Sequence, residues 1–428
     1  MAAAVLWQLS FLGVFALCTL SSSAFPVGRS AAATALQNRT TPEEPEGAED
    51  MLRRQMTNPA DILAILQIIG GDIIQKAIAQ LSGTRLGFTP VAFSFGWVSY
   101  TFNAIMSVFD DGNLLPPPEA EIVVIDILSG RMIRNQSWVL WRLFRDLVFE
   151  TPSKGPLRIF QLADGAGELP VERVDYLFLF FLPAQLITAS IPWWRGGNWL
   201  VFGITAIGTV LAIATGSLPQ WKKQKFDARP NNKGQGYILT QEPGEIAFLF
   251  IPAPGRSSGL RITDMAINRY RGSQLTRVVI PVLSVCWVCL LLTVGGLERD
   301  TWYLFAVGAL GMVQNITAAC FQRRGDAHGI PFKEIVVWGG RASCLKQAEH
   351  EFPGAGLCLV NKYPSDTDLN EDEKRYWREA ENSLDRRRKS FALAKPCQPT
   401  ELGAMWRQER RGAMWMQEPV FRHNFVTV

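Results

Sequence analysis

The feature that most constrains this chain is the segregation of its apolar residues into long blocks. Six blocks, at 62–81, 86–109, 174–194, 199–218, 278–296 and 301–321, hold 19 to 24 residues each, and charged side chains fill the stretches between. At ~1.5 Å per residue, about 20 helical residues cross a hydrocarbon core of ~30 Å, so every block is long enough for a membrane span. That pattern excludes a simple soluble enzyme and a disordered scaffold, although the averages of 48% hydrophobic and 19% charged residues look almost globular. A net charge of +4 is too small to indicate nucleic acid as a partner. The sequence predicts an α-helical multi-pass membrane bundle of five to seven spans, with a small cytosolic α/β module assembled from the long loops.

Residues 1–24 carry a further apolar stretch, Val5 to Leu20, followed by Ser22-Ser23-Ala24. This reads either as a signal peptide cleaved after Ala24 or as an uncleaved anchor, its n-region lacking a positive side chain. Residues 25–58 form a polar spacer with too little apolar surface to fold. Residues 59–322 are read as the membrane bundle with cytosolic loops 110–173 and 219–277, residues 323–365 as the C-terminal part of the α/β module, and 366–428 as a charged tail. Tight four-residue turns join 174–194 to 199–218 and 278–296 to 301–321. Trp193, Trp194, Trp199, Trp221, Trp302 and Tyr303 mark block ends, where amphipathic rings prefer the headgroup level.

Orientation follows from positive charges near block ends. Lys222, Lys223, Lys225 and Arg229, with Arg269, Arg271 and Arg277, put 219–277 in the cytosol, and 110–173 and 323–428 with it. A cleaved signal followed by six complete spans would place these segments outside. Either the first block remains as a seventh span, or it is cleaved and 62–81 does not fully cross.

Within the loops, 121–127, 237–240, 246–251 and 335–338 read as strands, as does 357–360. Helices are expected over 137–149, 262–270 and 342–351, and strands alternating with helices indicate one α/β module. Residues 371–389 read as a solvated charged helix. Gly403-Ala404-Met405-Trp406 recurs as Gly412-Ala413-Met414-Trp415, two copies being too few for a repeat architecture.

Three apolar motifs carry a resemblance: Gly70-Gly71-Asp72-Ile73-Ile74-Gln75-Lys76-Ala77, Pro90-Val91-Ala92-Phe93-Ser94-Phe95-Gly96-Trp97, and Gly311-Met312-Val313-Gln314-Asn315. Over roughly residues 59–365 the chain resembles a family of filamentous-fungal multi-pass integral membrane proteins, some encoded near secondary-metabolite genes. The resemblance implies a membrane location and a pathway role, and no mechanism.

Among residues that could carry chemistry, Asp72 and Lys76 stand i,i+4 on the 62–81 block, about 40° apart on a helical wheel, with Asp61 about 20° from Asp72. A charge at mid-bilayer costs at least ~2.5–3.5 kcal/mol, which makes a paired Asp72 an acid/base candidate; the bland reading is a structural ion pair, or a Lys76 that snorkels. Asn58 as a cap and Pro59 at the first helical position make Asp61 a dipole partner. Gly130-Arg131, Gly255-Arg256 and Gly340-Arg341 each follow a predicted strand and precede a predicted helix. If they converge, Arg131, Arg256 and Arg341 form an anion site; ordinary turns with solvated arginines are the alternative.

Other patterns carry less. Cys286-Trp287-Val288-Cys289 lies inside a block and is read as packing, and the seven cysteines show no disulfide framework. His328, Cys344, His350 and Cys358 match no familiar zinc spacing, so no metal is expected. Of the sequons, Asn38 is the glycosylation candidate if the leader is cleaved, while Asn135 falls in the cytosol and Asn315 in a span.

The leading expectation is an accessory component, or a membrane-embedded enzyme, of a secondary-metabolite pathway. Its partners are the lipid bilayer and a small apolar or anionic ligand, and no cofactor is indicated. The alternatives are an exporter of a small apolar metabolite, or a membrane scaffold or sensor using the basic run Arg386-Arg387-Arg388-Lys389.

Overall fold

The computed structural model describes residues 60–83, 86–150, 157–162, 172–228, 235–241, 246–252, 260–268, 270, 272–335, 341–360 and 371–393. The first third of the chain order is α1 (Ala60–Leu66), α2 (Gly71–Leu81), α3 (Trp97–Phe109), β1 (Val123–Asp126), β2 (Met132–Arg134), α4 (Trp138–Phe149) and β3 (Leu157–Leu162). Then come α5 (Leu177–Gly196), α6 (Leu200–Gly216), α7 (Pro219–Lys225), β4 (Tyr237–Thr240), β5 (Ala247–Pro252) and α8 (Ile262–Ile267). The described chain closes with α9 (Gln274–Gly295), α10 (Thr301–Cys320), β6 (Phe332–Ile335), α11 (Arg341–Glu351), α12 (Ala355–Val360) and α13 (Glu371–Leu393). The last helix, acidic in its first turn, belongs to a separate unit, Ser365–Val428.

Four helical stretches are long and apolar enough to cross a membrane: Arg173–Gly196, Leu200–Lys225, Gln274–Gly295 and Thr301–Cys320. They are apolar outside as well as inside. Leu179, Phe180, Ile187, Val278, Val285, Leu292 and Val313 all face outward and are exposed, a distribution that suits lipid and not water. Asp175, just before α5, bonds Arg323, just after α10. At the far ends Asn198 Nδ2 donates to Asp300 Oδ2 at 2.8 Å, and Trp193, Trp194, Trp199 and Trp302 stand exposed around the two turns.

The two remaining apolar blocks are not single helices. The 62–81 block breaks at Gly70, whose φ of 93° is left-handed, leaving α1 with 7 residues and α2 with 11. The 86–109 block runs without helix to Gly96 (φ 88°) and only then forms α3, 13 residues or about 20 Å long. The expectation of five to seven spans therefore reduces to four helices of sufficient length among the described residues. Composition could not reveal this, because extended and helical backbone can be equally apolar.

The sheet has six strands in the order β2-β1-β4-β5-β3-β6, with β3 parallel to β5 and every other pair antiparallel. Its strands come from the three loops 110–173, 219–277 and 323 onward, so one module is indeed built from separate segments. Phe160, Phe248, Phe250 and Phe332 pack in edge and stacked pairs on one face, and Phe144 of α4 closes on Phe248 with ring centroids 5.1 Å apart. Strands 123–126, 237–240 and 247–252 lie within a residue or two of the runs expected at 121–127, 237–240 and 246–251. Two strands were not legible. β2 is a short edge, and β3 carries Arg158 and Gln161; Arg158 is buried because Glu334 of β6 meets it at 2.7 Å. The expected strand at 357–360 is a helix, α12. The strand expected at 335–338 begins earlier, at Phe332, and its residues 336–338 lie outside the described set, as does the Gly-Ala-Met-Trp pair.

Candidate functional site

The three motifs quoted above meet at one place, half way along the four long helices. Thr89 marks the start of the path. Its N–H donates to Ser217 Oγ at 3.0 Å and its Oγ1 to Gly216 O at 2.7 Å, at the C-terminal end of α6. From there residues 90–94 run without helix or strand into the bundle, and residues 95–96 turn into α3. A Cβ on Gly208 would stand 2.5 Å from the Phe93 ring, and one on Gly311 would stand 1.8 Å from Phe93 O. Trp97 stacks on Trp287 of α9, centroids 4.8 Å apart and planes 5° from parallel. The chain then turns back along α3. Gly112, just past its end, accepts from Gln220 Nε2 at 2.7 Å and Gln224 Nε2 at 2.9 Å. Both ends of 89–112 thus abut residues 216–224, and the segment returns to the end of the bundle from which it left.

Extended backbone in an apolar interior must have its polar groups met by side chains. Here they are. Asn315 Oδ1 accepts from Ala92 N at 3.2 Å, and Asn315 Nδ2 donates to Ala92 O at 3.0 Å and Ser94 Oγ at 2.9 Å. Gln185 Nε2 donates to Phe93 O at 2.7 Å, Gln314 Nε2 to Pro90 O at 2.9 Å, and Trp97 Nε1 to Ala92 O at 3.2 Å. The breaks at Gly70 and Gly96 touch each other: a Cβ on Gly96 would lie 2.7 Å from Gly70 C. The N-termini of α2 and α3 therefore adjoin, with neither capped by a side chain. Close by, Gln67 Oε1 and Tyr100 Oη are buried without a hydrogen-bond partner.

A second constellation joins this bundle to the sheet. Arg323 is buried and held by Glu172 (2.9 Å), Asp175 (2.7 Å) and Gln80 O (2.9 Å). Lys225 Nζ donates to Gln80 O and Ser82 O, and Arg142 to Ala319 O and Phe321 O. These cations sit on the carbonyl ends of α2 and α10, where helix dipoles favour positive charge. Burial, reinforced by Arg145, lowers the Arg142 guanidinium to about 10. His328 Nε2 lies 3.1 Å from Asp146 Oδ2, and Arg145 reaches Asp146 Oδ1 at 2.9 Å. Burial pushes the His328 imidazole down despite its carboxylate partner. Burial pulls the other way on Asp146, but the bonds from His328 and Arg145 outweigh it and hold that carboxyl below its ordinary value. With both partners enclosed, the pair is a brace between α4 and the turn after α10.

Of the residues singled out from sequence, Asp72 and Lys76 do not pair and Arg131 is not in the turn type expected. Asp72 is exposed in the first turn of α2 and does not pair with Lys76. Lys76 instead binds Glu119 at 2.7 Å, both side chains more than a third exposed. Gly130-Arg131 lies in the turn of the β1–β2 hairpin, not between strand and helix, and Arg131 is exposed. Arg256 and Asn38 lie outside the described residues; Arg341 opens α11 and its side chain is likewise outside them. Asn135 is buried in a turn with Ser137, and Asn315 is wholly enclosed. Cys286 is buried, Cys289 is exposed, and neither is in a disulfide. Among the described residues no three His, Cys, Asp or Glu side chains could hold a metal.

Gln185 and Thr89 were missed because nothing in their spacing marks them. The pairing of glycine breaks with Gln314-Asn315 was the one available signal. No protein-family model, curated protein or solved structure matches this chain.

Proposed function

We propose that the chain is a multi-pass integral membrane protein that handles a small, largely apolar metabolite within the bilayer, as an accessory component of a fungal secondary-metabolite pathway. The observation that carries this reading is the returning segment 89–112, clamped half way along the bundle by Gln185, Gln314 and Asn315. Irregular backbone at that depth is tolerated where protein encloses it, and discontinuous helices are where membrane proteins build small-molecule sites. The pathway assignment rests on the resemblance of the three motifs that converge there. Binding or presentation suits the site better than catalysis, since Asp72 and Lys76 stand apart.

The returning segment also removes the conflict over orientation. If 60–81 crosses once and 89–112 does not, residues 25–58 lie on the far side and the sheet in the cytosol, whether or not residues 1–24 are cleaved. Asn38 then carries a glycan, which endoglycosidase treatment reports as a mobility shift.

Comparing metabolites of deletion and parent strains tests the pathway role: a missing or stalled product supports it, and an unchanged profile removes it. The exporter reading draws on the same helix breaks, and product retained inside the deletion strain would favour it.

A further inference from the structure

Resting on the membrane reading, one cavity assigns a chemistry to the ligand. Between the loop after α2 and the junction of α6 with α7 lies a cavity of about 130 Å³, lined in part by Ser82, Phe88, Thr89, Ser217, Trp221 and Lys222. That is several times the ~30 Å³ share of one water. It opens at the sheet end of the bundle, beside the start of the returning segment. Among the described residues no acidic side chain lines it.

Its donors are left over after local needs are met. The carbonyls of Gln80 and Ser82 are taken by Lys225, and that of Gly216 by Thr89. Ser217 Oγ accepts from Thr89 N–H, which leaves its hydroxyl proton to donate. The Trp221 indole Nε1 is fully buried and has no acceptor. A buried donor left unmade costs ~1–3 kcal/mol, and Trp221 is one of the residues lining the cavity, so an acceptor entering from outside the chain would relieve that cost. Lys222 is exposed and supplies a cation with three donors. Phe88, edge-on to Phe178 at 5.7 Å, adds an apolar flank facing the lipid-side helices.

We infer that this cavity holds the anionic head, a phosphate or a carboxylate, of an amphipathic molecule whose chain lies in the bilayer against Phe88. The donors Trp221, Ser217 and Lys222 grip the oxygens.

The test uses the full chain in dodecyl maltoside, with dodecyl phosphate, dodecanol and inorganic phosphate as probes and the thermal midpoint as readout. Dodecyl phosphate is expected to raise the midpoint saturably, and dodecanol to leave it unmoved. Lys222→Glu, a surface change that leaves the core intact, is expected to raise the half-saturating concentration at least about tenfold, as loss of one charged hydrogen bond does. Trp221→Phe is expected to weaken the dodecyl phosphate response at a given reference stability. No saturable shift, or an unaltered response in Lys222→Glu, would overturn the site. An equal shift from inorganic phosphate would overturn the amphipathic ligand in favour of a free anion. Carbonate extraction of the same chain reports the membrane reading separately, since a retained chain without a shift sinks only this inference.

Discussion

Asn315 treats Ala92 as a strand would: its side-chain amide accepts from the Ala92 N–H and donates to the Ala92 carbonyl, at 3.2 and 3.0 Å. One side chain of α10 thereby meets both backbone groups of Ala92, whose carbonyl also accepts from Trp97 Nε1. Replacing it with Leu leaves the Ala92 N–H unsatisfied, with its carbonyl kept only by Trp97. Asn315→Leu should cost about 2–4 kcal/mol, seen as a lowered thermal midpoint of the detergent-solubilised chain. An unchanged midpoint would mean that the segment is not held this way.

Close approach makes a sharper demand at Gly311. A Cβ there would overlap Phe93 O at 1.8 Å, whereas one on Gly87 meets nothing within 4 Å. Gly311→Ala should destabilise by about 3 kcal/mol or more through overpacking against backbone. Gly87→Ala should cost only the ~1 kcal/mol of its left-handed backbone. Equal losses at both positions would refute the packing described for residues 90–96.

Much of this architecture was legible in the sequence, and the illegible part has a physical cause. Apolar length located the four long helices because each meets the same requirement, about 20 apolar residues in a row. Short apolar runs located β1, β4 and β5, which are buried on both faces. Length and hydropathy could not distinguish a span from a hairpin that enters half way and returns, because both are greasy. The difference lies in Gly70, Gly96, Gln185, Gln314 and Asn315, which matter only in combination. Arg131 illustrates the opposite failure: the first copy of the recurring dipeptide is a hairpin turn, while Arg256 and the Arg341 side chain lie outside the described residues.

The His328–Asp146 brace gives the chain a defined pH response. The His328 pKa is lower folded than unfolded, so the imidazole contributes stability that is present above its unfolded value of ~6.5 and is lost as pH falls from there through its lower folded value. Asp146, also lowered, acts in the same direction at more acidic pH. The thermal midpoint should therefore drop between pH 7 and pH 5.5, and the drop should be smaller in His328→Gln. A midpoint that rises on acidification would reverse the assignment.

Asp72 and Lys76 should matter little. Lys76–Glu119 is a half-exposed pair, worth ~0–1 kcal/mol, and Asp72 forms no ion pair among the described residues. Asp72→Asn and Lys76→Gln should leave stability within about 0.5 kcal/mol and product levels in the producing strain unaltered. Loss of product in Asp72→Asn would restore the acid/base role.

Single-cysteine labelling in sealed vesicles tests the returning segment most directly. Cysteines placed one at a time at Gly87, Asn113, Asn198 and Glu298 of a cysteine-free chain are probed with an impermeant maleimide. The account predicts that positions 87 and 113 label from the same side, and positions 198 and 298 from the other. Labelling of 87 and 113 from opposite sides would show that the 86–109 block crosses the membrane, and would contradict the site built on its return.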